Sequence, residues 1–260
     1  MQEARRCRMR TLFYLSESQL ERIKPFFPRS HGAPRVDDRR VVSGIIYVIK
    51  HGLQWKDAPD EYGPYKTLYN RFVRWSRMGI FNNIFVELAE AAGNDGRLMI
   101  DATHLKAHRT AASLLKKGAL SRCIGRTKGG LNSKLHAVCN GNGKPLAPAL
   151  TAGQVSDYKG VAILLDSLPE AKELLADRGY DAVWFRNALL DKGITPCIPS
   201  KKNRKQPVCY DKGLYRQRHK IEIIFGRLKD WRRIAMRYDR CAHTFFSAIC
   251  LACAVIFYLN

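Results

Sequence analysis

Two acidic side chains occupy matching positions in this sequence, each directly after a short apolar stretch. Asp101 follows residues 98–100, and Asp177 follows residues 173–176. Short apolar runs of this kind are typical of buried strands, and an α/β sheet brings together the groups at the carboxyl ends of its strands. An isolated Asp after a strand is more often a turn or cap residue. The repetition of the pattern favours a pair of cooperating carboxylates.

A third acid shares one face of a predicted helix with three other polar side chains. Successive members of this set are three, four and seven residues apart, which places them within about 60° of one another around a helix. A surface ion pair is the simpler explanation of such an acid, but the two strand-end aspartates favour a functional role. The polar face consists of Tyr215, Arg218, Glu222 and Lys229, and the apolar stripe beside it of Ile221, Ile224, Phe225 and Leu228.

Asp101, Asp177 and Glu222 together are a candidate site for a hard divalent cation. Mg²⁺ prefers carboxylate oxygens, water and phosphate oxygens as ligands. Two such ions about 3.5–4 Å apart activate the attacking oxygen and stabilise the leaving oxygen of an in-line displacement. The pattern therefore predicts metal-dependent phosphoryl transfer.

The charge of the chain indicates which polymer would supply the phosphate. Lys and Arg total 45 against 23 acids, which gives a net charge of +22. Such a surface attracts polyanions, of which nucleic acid is the commonest, although ribosomal and membrane-surface proteins are also basic. Residues 201–240 carry 14 Lys or Arg against four acids. Because this segment flanks Glu222, a DNA track is favoured over an ordinary solvated face.

Other metal ligands and a membrane span are weaker interpretations. His104 and His108 lack a third ligand at a fitting spacing, which favours phosphate or structural roles. Cys250 and Cys253 form a CxxC pair with no second pair nearby, so zinc is not expected. The apolar run 245–259 is shorter than the roughly 20 residues that a bilayer requires, and is predicted to be a buried core helix.

Residues 1–92 are predicted to be helical. Ser16 and Gln19 fit a capping box, and Asp37 is placed to cap the next helix. Gly52 is typical of a residue at which a helix ends. These local signals predict a small all-helical domain.

A third helix of this region, over residues 64–79, interleaves aromatic and basic side chains. Arg71 and Arg74 are among the basic ones. Arginines with aromatic rings suit a DNA groove or backbone. An amphipathic helix with a solvated basic side explains the pattern equally well.

Residues 97–260 mix strands with helices, which predicts an α/β domain. Asp157 and Asp181 are expected to be N-caps. Arg126 and Lys128 lie in GRTKGG, which suits phosphate contact but is no P-loop, because the GKT/S order is absent. Strands are expected at 98–100, 134–139, 146–151, 173–176 and 194–198, and helices at 157–168, 181–191, 215–235 and 243–258.

Together these segments resemble one family, the DDE transposases of bacterial insertion sequences, in particular the insertion-sequence-five group. The order Tyr, two residues, Arg, three residues, Glu, six residues, Lys around Glu222 matches the signature of these transposases. LMIDATHLKAHRTA around Asp101, IGRTKGGLNSKLHAV after it and LLADRGYDA around Asp177 look like the family's catalytic blocks. GAPRVDDRRVVSGIIYVIKHGLQWKDAPDEYGPYKTLYNRFVRWSRMGIF resembles its helical N-terminal region. The resemblance extends over residues 15–259.

The resemblance implies an RNase H-like catalytic domain over residues 97–260, preceded by a small all-helical DNA-binding domain over residues 1–92. It implies nicking at the element ends with two Mg²⁺ ions, then attack of the freed 3′-hydroxyl on target DNA. Asp101, Asp177 and Glu222 would take the metal-ligand roles. The positions implied or expected to contact DNA are Tyr215, Arg218, Lys229, Lys128, Arg126, Arg71 and Arg74.

The expected partners are terminal inverted repeats and target DNA, with a homodimer on paired ends. Two alternatives stay open: a DNA-binding relative without transposition activity, and a stand-alone metal-dependent nuclease. Neither a signal peptide nor a membrane span is expected. The expected location is the bacterial cytoplasm, in association with the nucleoid.

Overall fold

The structure, a computed structural model, describes residues 11–29, 35–113 and 122–260. Four helices come first, and a mixed sheet with helices on both faces follows. The described helices are α1 (Glu17–Ile23), α2 (Asp38–His51), α3 (Tyr65–Arg77), α4 (Ile80–Ala91), α5 (Arg109–Ala112), α6 (Asp157–Leu164), α7 (Val183–Asp191), α8 (Lys212–Tyr215), α9 (His219–Lys229), α10 (Arg232–Ala235) and α11 (Ala242–Phe257). The described strands are β1 (Arg97–Ala107), β2 (Gly125–Thr127), β3 (Gly130–Asn140), β4 (Pro145–Ala152), β5 (Glu173–Leu175), β6 (Thr195–Cys197) and β7 (Met236–Arg237).

Local sequence signals account for the ends of the first helices. Ser16 and Gln19 form the predicted capping box at the start of α1. The Asp37 carboxylate accepts hydrogen bonds from two backbone N–H groups at the start of α2, and Gly52 ends that helix with a φ of 68°. Glycine adopts this left-handed backbone conformation at little cost in free energy, because it has no Cβ. Gly79, with a φ of 71°, similarly allows α3 to turn into α4.

The sheet is centred on the antiparallel pair β1 and β3. Strand order is β2-β3-β1-β5-β6, with β4 also paired to β3 and β7 to β1. The prediction that the first strand ends at Asp101 is wrong. Pairing with β3 continues as far as Lys106 opposite Asn132. This long-range ladder keeps the polar half of β1 extended, and no local signal in the sequence reveals it.

The register of β1 and β3 divides their side chains between the two faces of the sheet. On one face, Met99 and Leu105 join the larger core, which also holds the N-terminal helices, α9 and α11. On the other face, Leu98, Ile100 and Val138 join a smaller core with α6 and α7. Successive strand residues alternate between faces, so Asp101 shares the face of Met99 and is directed toward α9.

The helix α11 is the predicted core helix. Its interior residues are buried, including Cys250 and Cys253, both of which are free thiols. It packs against α2, α3, α4 and α9, so the N-terminal helices and the sheet region share one apolar core. The division at residues 92–97 stays a prediction. Across the described ranges, no helix is both long and apolar enough to cross a bilayer.

Two of the predicted N-caps are wrong. Ser156 precedes α6, and Asp157 is the first residue of that helix, where its carboxylate pairs with Lys134. Ala182 precedes α7, and the Asp181 carboxylate instead pairs with Arg186 and Arg204. Asp157 thus pairs with a lysine of β3, and Asp181 pairs with one arginine of α7 itself and with a second one beyond β6.

Candidate active site

Asp101 lies in the interior of β1. Its Oδ1 accepts a hydrogen bond from the N–H of Ala102, and its Oδ2 accepts one from Nη1 of Arg218, both at 2.8 Å. Burial raises the pKa of Asp101, and the nearby Asp177 carboxylate adds to the rise, although Ala102 and Arg218 oppose it. Added positive charge would therefore favour the ionised carboxylate.

Asp177 lies two residues after the end of β5, close to the position predicted from the sequence. The parallel ladder between β1 and β5 covers three residue pairs and ends at Met99 opposite Leu175. The ladder thus stops two residues before each aspartate, at the same edge of the sheet. Asp177 also caps the turn Arg178–Tyr180, because its Oδ1 accepts the N–H of Gly179 at 2.8 Å.

Arg218 connects the third acid to the first. Its Nη1 lies 2.8 Å from Asp101 Oδ2, and its Nη2 pairs with Oε1 of Glu222. Burial alone would lower the pKa of Arg218. Interactions with Asp101, Tyr215 and Glu222 raise this pKa by more than burial lowers it, so the net shift is upward. The guanidinium therefore remains charged between the two carboxylates. The Glu222 side chain is 55% exposed, so its carboxylate is accessible to solvent.

The segment that carries these side chains is less regular than predicted. A 3-10 turn, Arg216–Arg218, separates α8 from α9. The ring of Tyr215 still lies 5.8 Å from the Arg218 guanidinium, and Lys229 Nζ donates to Thr103 Oγ1 of β1 at 2.7 Å. All four residues of the predicted polar face thus lie along one surface beside β1.

The prediction that this helix continues to residue 235 is wrong. The helix α9 ends at Lys229, and the short α10 follows Trp231. The Trp231 side chain is 4% exposed and lies in the larger core. Core packing explains the break, because a continuing helix would not place this ring there. Trp231 is therefore not available to stack on a DNA base.

The carboxylates of Asp101, Asp177 and Glu222 are suitable ligands for a hard cation, although the three do not all contact one another. In the described part of the chain, no group of three or more His, Cys, Asp or Glu is arranged as a ready metal site. Asp101 and Asp177 interact directly through their charges, whereas Glu222 reaches Asp101 through Arg218. These groups offer only carboxylate oxygens, which suits Mg²⁺ or Mn²⁺ better than a softer metal.

Two candidate phosphate contacts lie on the hairpin β2–β3. Arg126 in β2 and Lys128 in the following turn are exposed. Lys106 Nζ donates to the carbonyl oxygen of Gly129 at 2.6 Å, which ties the turn to the polar end of β1. The hairpin thus extends the strand that carries Asp101.

The two arginines of α3 differ in their surroundings. Arg71 is 12% exposed, pairs with Asp38 at 2.5 Å and lies 5.0 Å from the ring of Trp75. Arg74 is exposed on the outer face of α3. Arg71 would reach DNA only by giving up its ion pair, whereas Arg74 is free to do so.

The two histidines of the sequence analysis have structural contacts. His104 Nε2 lies 3.0 Å from the carbonyl oxygen of Gly153. His108 precedes α5, where its Nδ1 accepts the N–H of Thr110 at 3.3 Å. These contacts agree with the structural alternative.

Three residues near Asp177 were missed by the sequence analysis. They are Lys134, Asp157 and Tyr180, which lie on the face of the smaller core. One signal was present, since Asp157 is the first acid after residues 102–156, which contain none. The ion pair with Lys134 joins residues far apart in the chain, so spacing alone could not find it.

Family models and curated relatives agree on the class of this chain. Models described as "Transposase DDE domain" match residues 93–207 and 174–259, and one described as "Putative transposase of IS4/5 family" matches residues 15–85. The "Putative transposase for insertion sequence element IS6501" of Brucella ovis is 35% identical over 128 residues, which are 48% of this chain and 98% of that protein. The "Putative transposase for insertion sequence element IS402" of Burkholderia cepacia is 33% identical over 155 residues, which are 52% of this chain and 71% of that protein. The chain belongs to the insertion-sequence transposases of the DDE type.

Among solved structures, one transposase shares the fold. The piggyBac transposase, in a synaptic complex with hairpin DNA, aligns with a TM-score of 0.52 over 94% of this chain and 70% of its own. Sequence identity is 8%, so the similarity concerns the fold alone. The fold is a mixed α/β sheet with helices, and the RNase H-like class stays a prediction.

Proposed function

We propose that this chain binds the ends of an insertion sequence, nicks DNA and joins the freed 3′-hydroxyl ends to target DNA by two-metal phosphoryl transfer. The ionic path from Asp101 through Arg218 to Glu222, beside Asp177, is the observation that supports this most. It links a strand and a helix that are more than 100 residues apart in sequence. Asp177, at the start of the turn Arg178–Tyr180 after β5, completes the group.

In this proposal Asp101, Asp177 and Glu222 hold two Mg²⁺ ions, for which Mn²⁺ can substitute. When bound, such ions promote attack by an oxygen nucleophile and stabilise the leaving oxygen. Arg218 and Lys229 would neutralise the phosphates beside the reacting one. Both already border β1, through Asp101 and Thr103.

The proposed partner is DNA, as terminal inverted repeats and target, with a homodimer on paired ends. Around the acids, the exposed cations Arg126, Lys128 and Lys229 would contact the backbone. On the N-terminal helices, Arg74 would do the same, and Arg71 after release from Asp38. The DNA in the piggyBac complex is in keeping with this partner.

Replacement of Asp177 by Asn tests the catalytic assignment, because it removes charge with little change in size. We expect cleavage of terminal-repeat DNA in Mg²⁺ to fall below detection, while binding to that DNA persists. Asp191→Asn, at an exposed acid of α7, is the matched control and should cleave normally. Normal cleavage by the Asp177 variant would refute the metal assignment.

A strand-transfer assay separates the transposase from a stand-alone nuclease. Pre-nicked end DNA with a free 3′-hydroxyl is mixed with a supercoiled target and Mg²⁺. We expect products in which the end is joined covalently to the target. Cleavage without any joined product would identify a nuclease instead.

A further inference from the structure

A buried hydroxyl belongs to the turn that follows Asp177. Tyr180 is fully buried, and its hydroxyl has no hydrogen-bond partner within the described residues. Its ring packs in the smaller core, and its backbone N–H donates to the carbonyl oxygen of Asp177 at 3.1 Å. Burial raises the pKa of Tyr180, and the charges of Asp157, Asp101 and Asp177 raise it further.

Asp157 supplies a fourth carboxylate, which is held in place beside the turn Arg178–Tyr180. Lys134 Nζ donates to Asp157 Oδ1 at 2.7 Å and to the carbonyl oxygen of Val155 at 2.9 Å. Lys134 is itself buried, at 8% exposure. A charged group fixed by a buried lysine is restricted to one orientation, unlike an acid on an open surface.

The free oxygen of Asp157 faces the turn that carries Asp177. A Cβ added to Gly179 would lie 2.8 Å from Asp177 Oδ1 and 3.5 Å from Asp157 Oδ2. The two carboxylates therefore approach the same glycine, at which a side chain would crowd Asp177 Oδ1. Oδ1 of Asp157 is used by Lys134, which leaves Oδ2 on the side of Asp177.

We infer that Asp157 and Tyr180 are positioning residues that hydrogen-bond the hydration water of a divalent cation held by Asp177. The inference rests on the proposed function, and it adds two residues to the site. Mg²⁺ gives up its water reluctantly and usually keeps several molecules. A carboxylate oxygen accepts from such water, and a tyrosine hydroxyl also can. Partners of this kind typically change metal affinity by about 10- to 100-fold.

The test is a titration of the metal-free protein with Mn²⁺, in which the electron paramagnetic resonance signal of the free ion measures binding. We expect Asp157→Asn and Tyr180→Phe each to weaken Mn²⁺ binding by about tenfold. In the metal-free protein, Tyr180→Phe should melt at the same or a higher temperature, because the deleted hydroxyl has no protein partner. This combination distinguishes a role toward the cation from a role in packing.

Asp166→Asn provides the matched control, because it changes an exposed acid just after α6. It should bind Mn²⁺ as the unaltered protein does. Unchanged Mn²⁺ affinity in the Asp157 and Tyr180 variants, with weakened binding in Asp177→Asn, would overturn this inference and leave the proposed function intact. Failure of the unaltered protein to bind Mn²⁺ would overturn both.

Discussion

At the scale of single residues, the notable feature is that Arg218 contacts two of the acids that a metal site would need. The guanidinium bonds to Asp101 and Glu222 at the same time. A cation that used both carboxylates would have to displace it. Once displaced, the arginine would be free to contact a DNA phosphate, for which its planar fork is well suited.

Replacement of Arg218 by Ala should therefore tighten Mn²⁺ binding in the absence of DNA. Hydrogen bonds to charged groups contribute about 1.5–3 kcal/mol, so we expect a gain of roughly ten- to hundredfold. The same variant should lose affinity for terminal DNA. The control is Arg216→Ala, at an exposed neighbour in the same segment. It should change neither the affinity for Mn²⁺ nor the pH dependence of Mn²⁺ binding. Weaker metal binding by the Arg218 variant would contradict this interpretation.

Local sequence pattern singled out the three proposed acids but not their contacts. Asp101 and Asp177 follow apolar runs and Glu222 adjoins an apolar stripe, and their role as metal ligands stays a prediction. The bridge through Arg218 joins residues 117 positions apart, and Lys134 holds Asp157 across 23 positions. Pairings at such separations depend on the register of the sheet, which local pattern does not contain.

At the scale of secondary-structure elements, α3 presents a face suited to DNA. Lys66 and Arg74 are exposed on one side of the helix, about 80° apart around its axis, and Tyr65 and Tyr69 are exposed at the border with its buried side. Leu68, Phe72 and Trp75 are buried on the other side. The core therefore fixes the helix and directs the basic and aromatic groups outward.

A double variant, Lys66→Ala with Arg74→Ala, should weaken DNA binding at all sequences alike. Log affinity falls as log salt concentration rises, and each lost phosphate contact should make this slope shallower by about 1. The melting temperature should hold, because exposed substitutions usually change stability by less than about 0.5 kcal/mol. Lys172→Ala with Lys192→Ala, two exposed lysines elsewhere, should leave the salt slope as it was. An unchanged slope in the α3 variant would show that this face does not contact DNA.

Sequence predicted helices more accurately than strands and the caps beside them. The helices α1 to α4 begin and end at residues with local signals, such as Ser16, Asp37 and Gly52. The strands β2 and β7 have only three and two residues and exist because β3 and β1 pair with them. Asp157 and Asp181 fit a cap by position, but Asp157 pairs with Lys134 of β3, and Asp181 with Arg186 of α7 and Arg204.

At the scale of the whole molecule, the two predicted domains share one core. Phe245 of α11 is fully buried in the cluster that also holds Phe72 of α3 and Leu135 of β3. Arg237, likewise fully buried, lies 4.8 Å from the Phe245 ring. A change in α11 should therefore be felt by the N-terminal helices and by the sheet together.

Phe245→Ala tests this coupling, because it removes a large ring from the shared core. Such substitutions cost about 3–5 kcal/mol, and each kcal/mol lowers the melting temperature by about 2–4 °C in a chain of this size. By calorimetry we expect one unfolding transition that moves down as a whole, since the helices and sheet lose packing together. Val183→Ala, at a side chain that is 61% exposed, should leave the transition nearly in place. Two transitions, of which only one moves, would instead show that residues 1–92 fold as an independent domain, and DNA binding by those residues could then be studied in isolation.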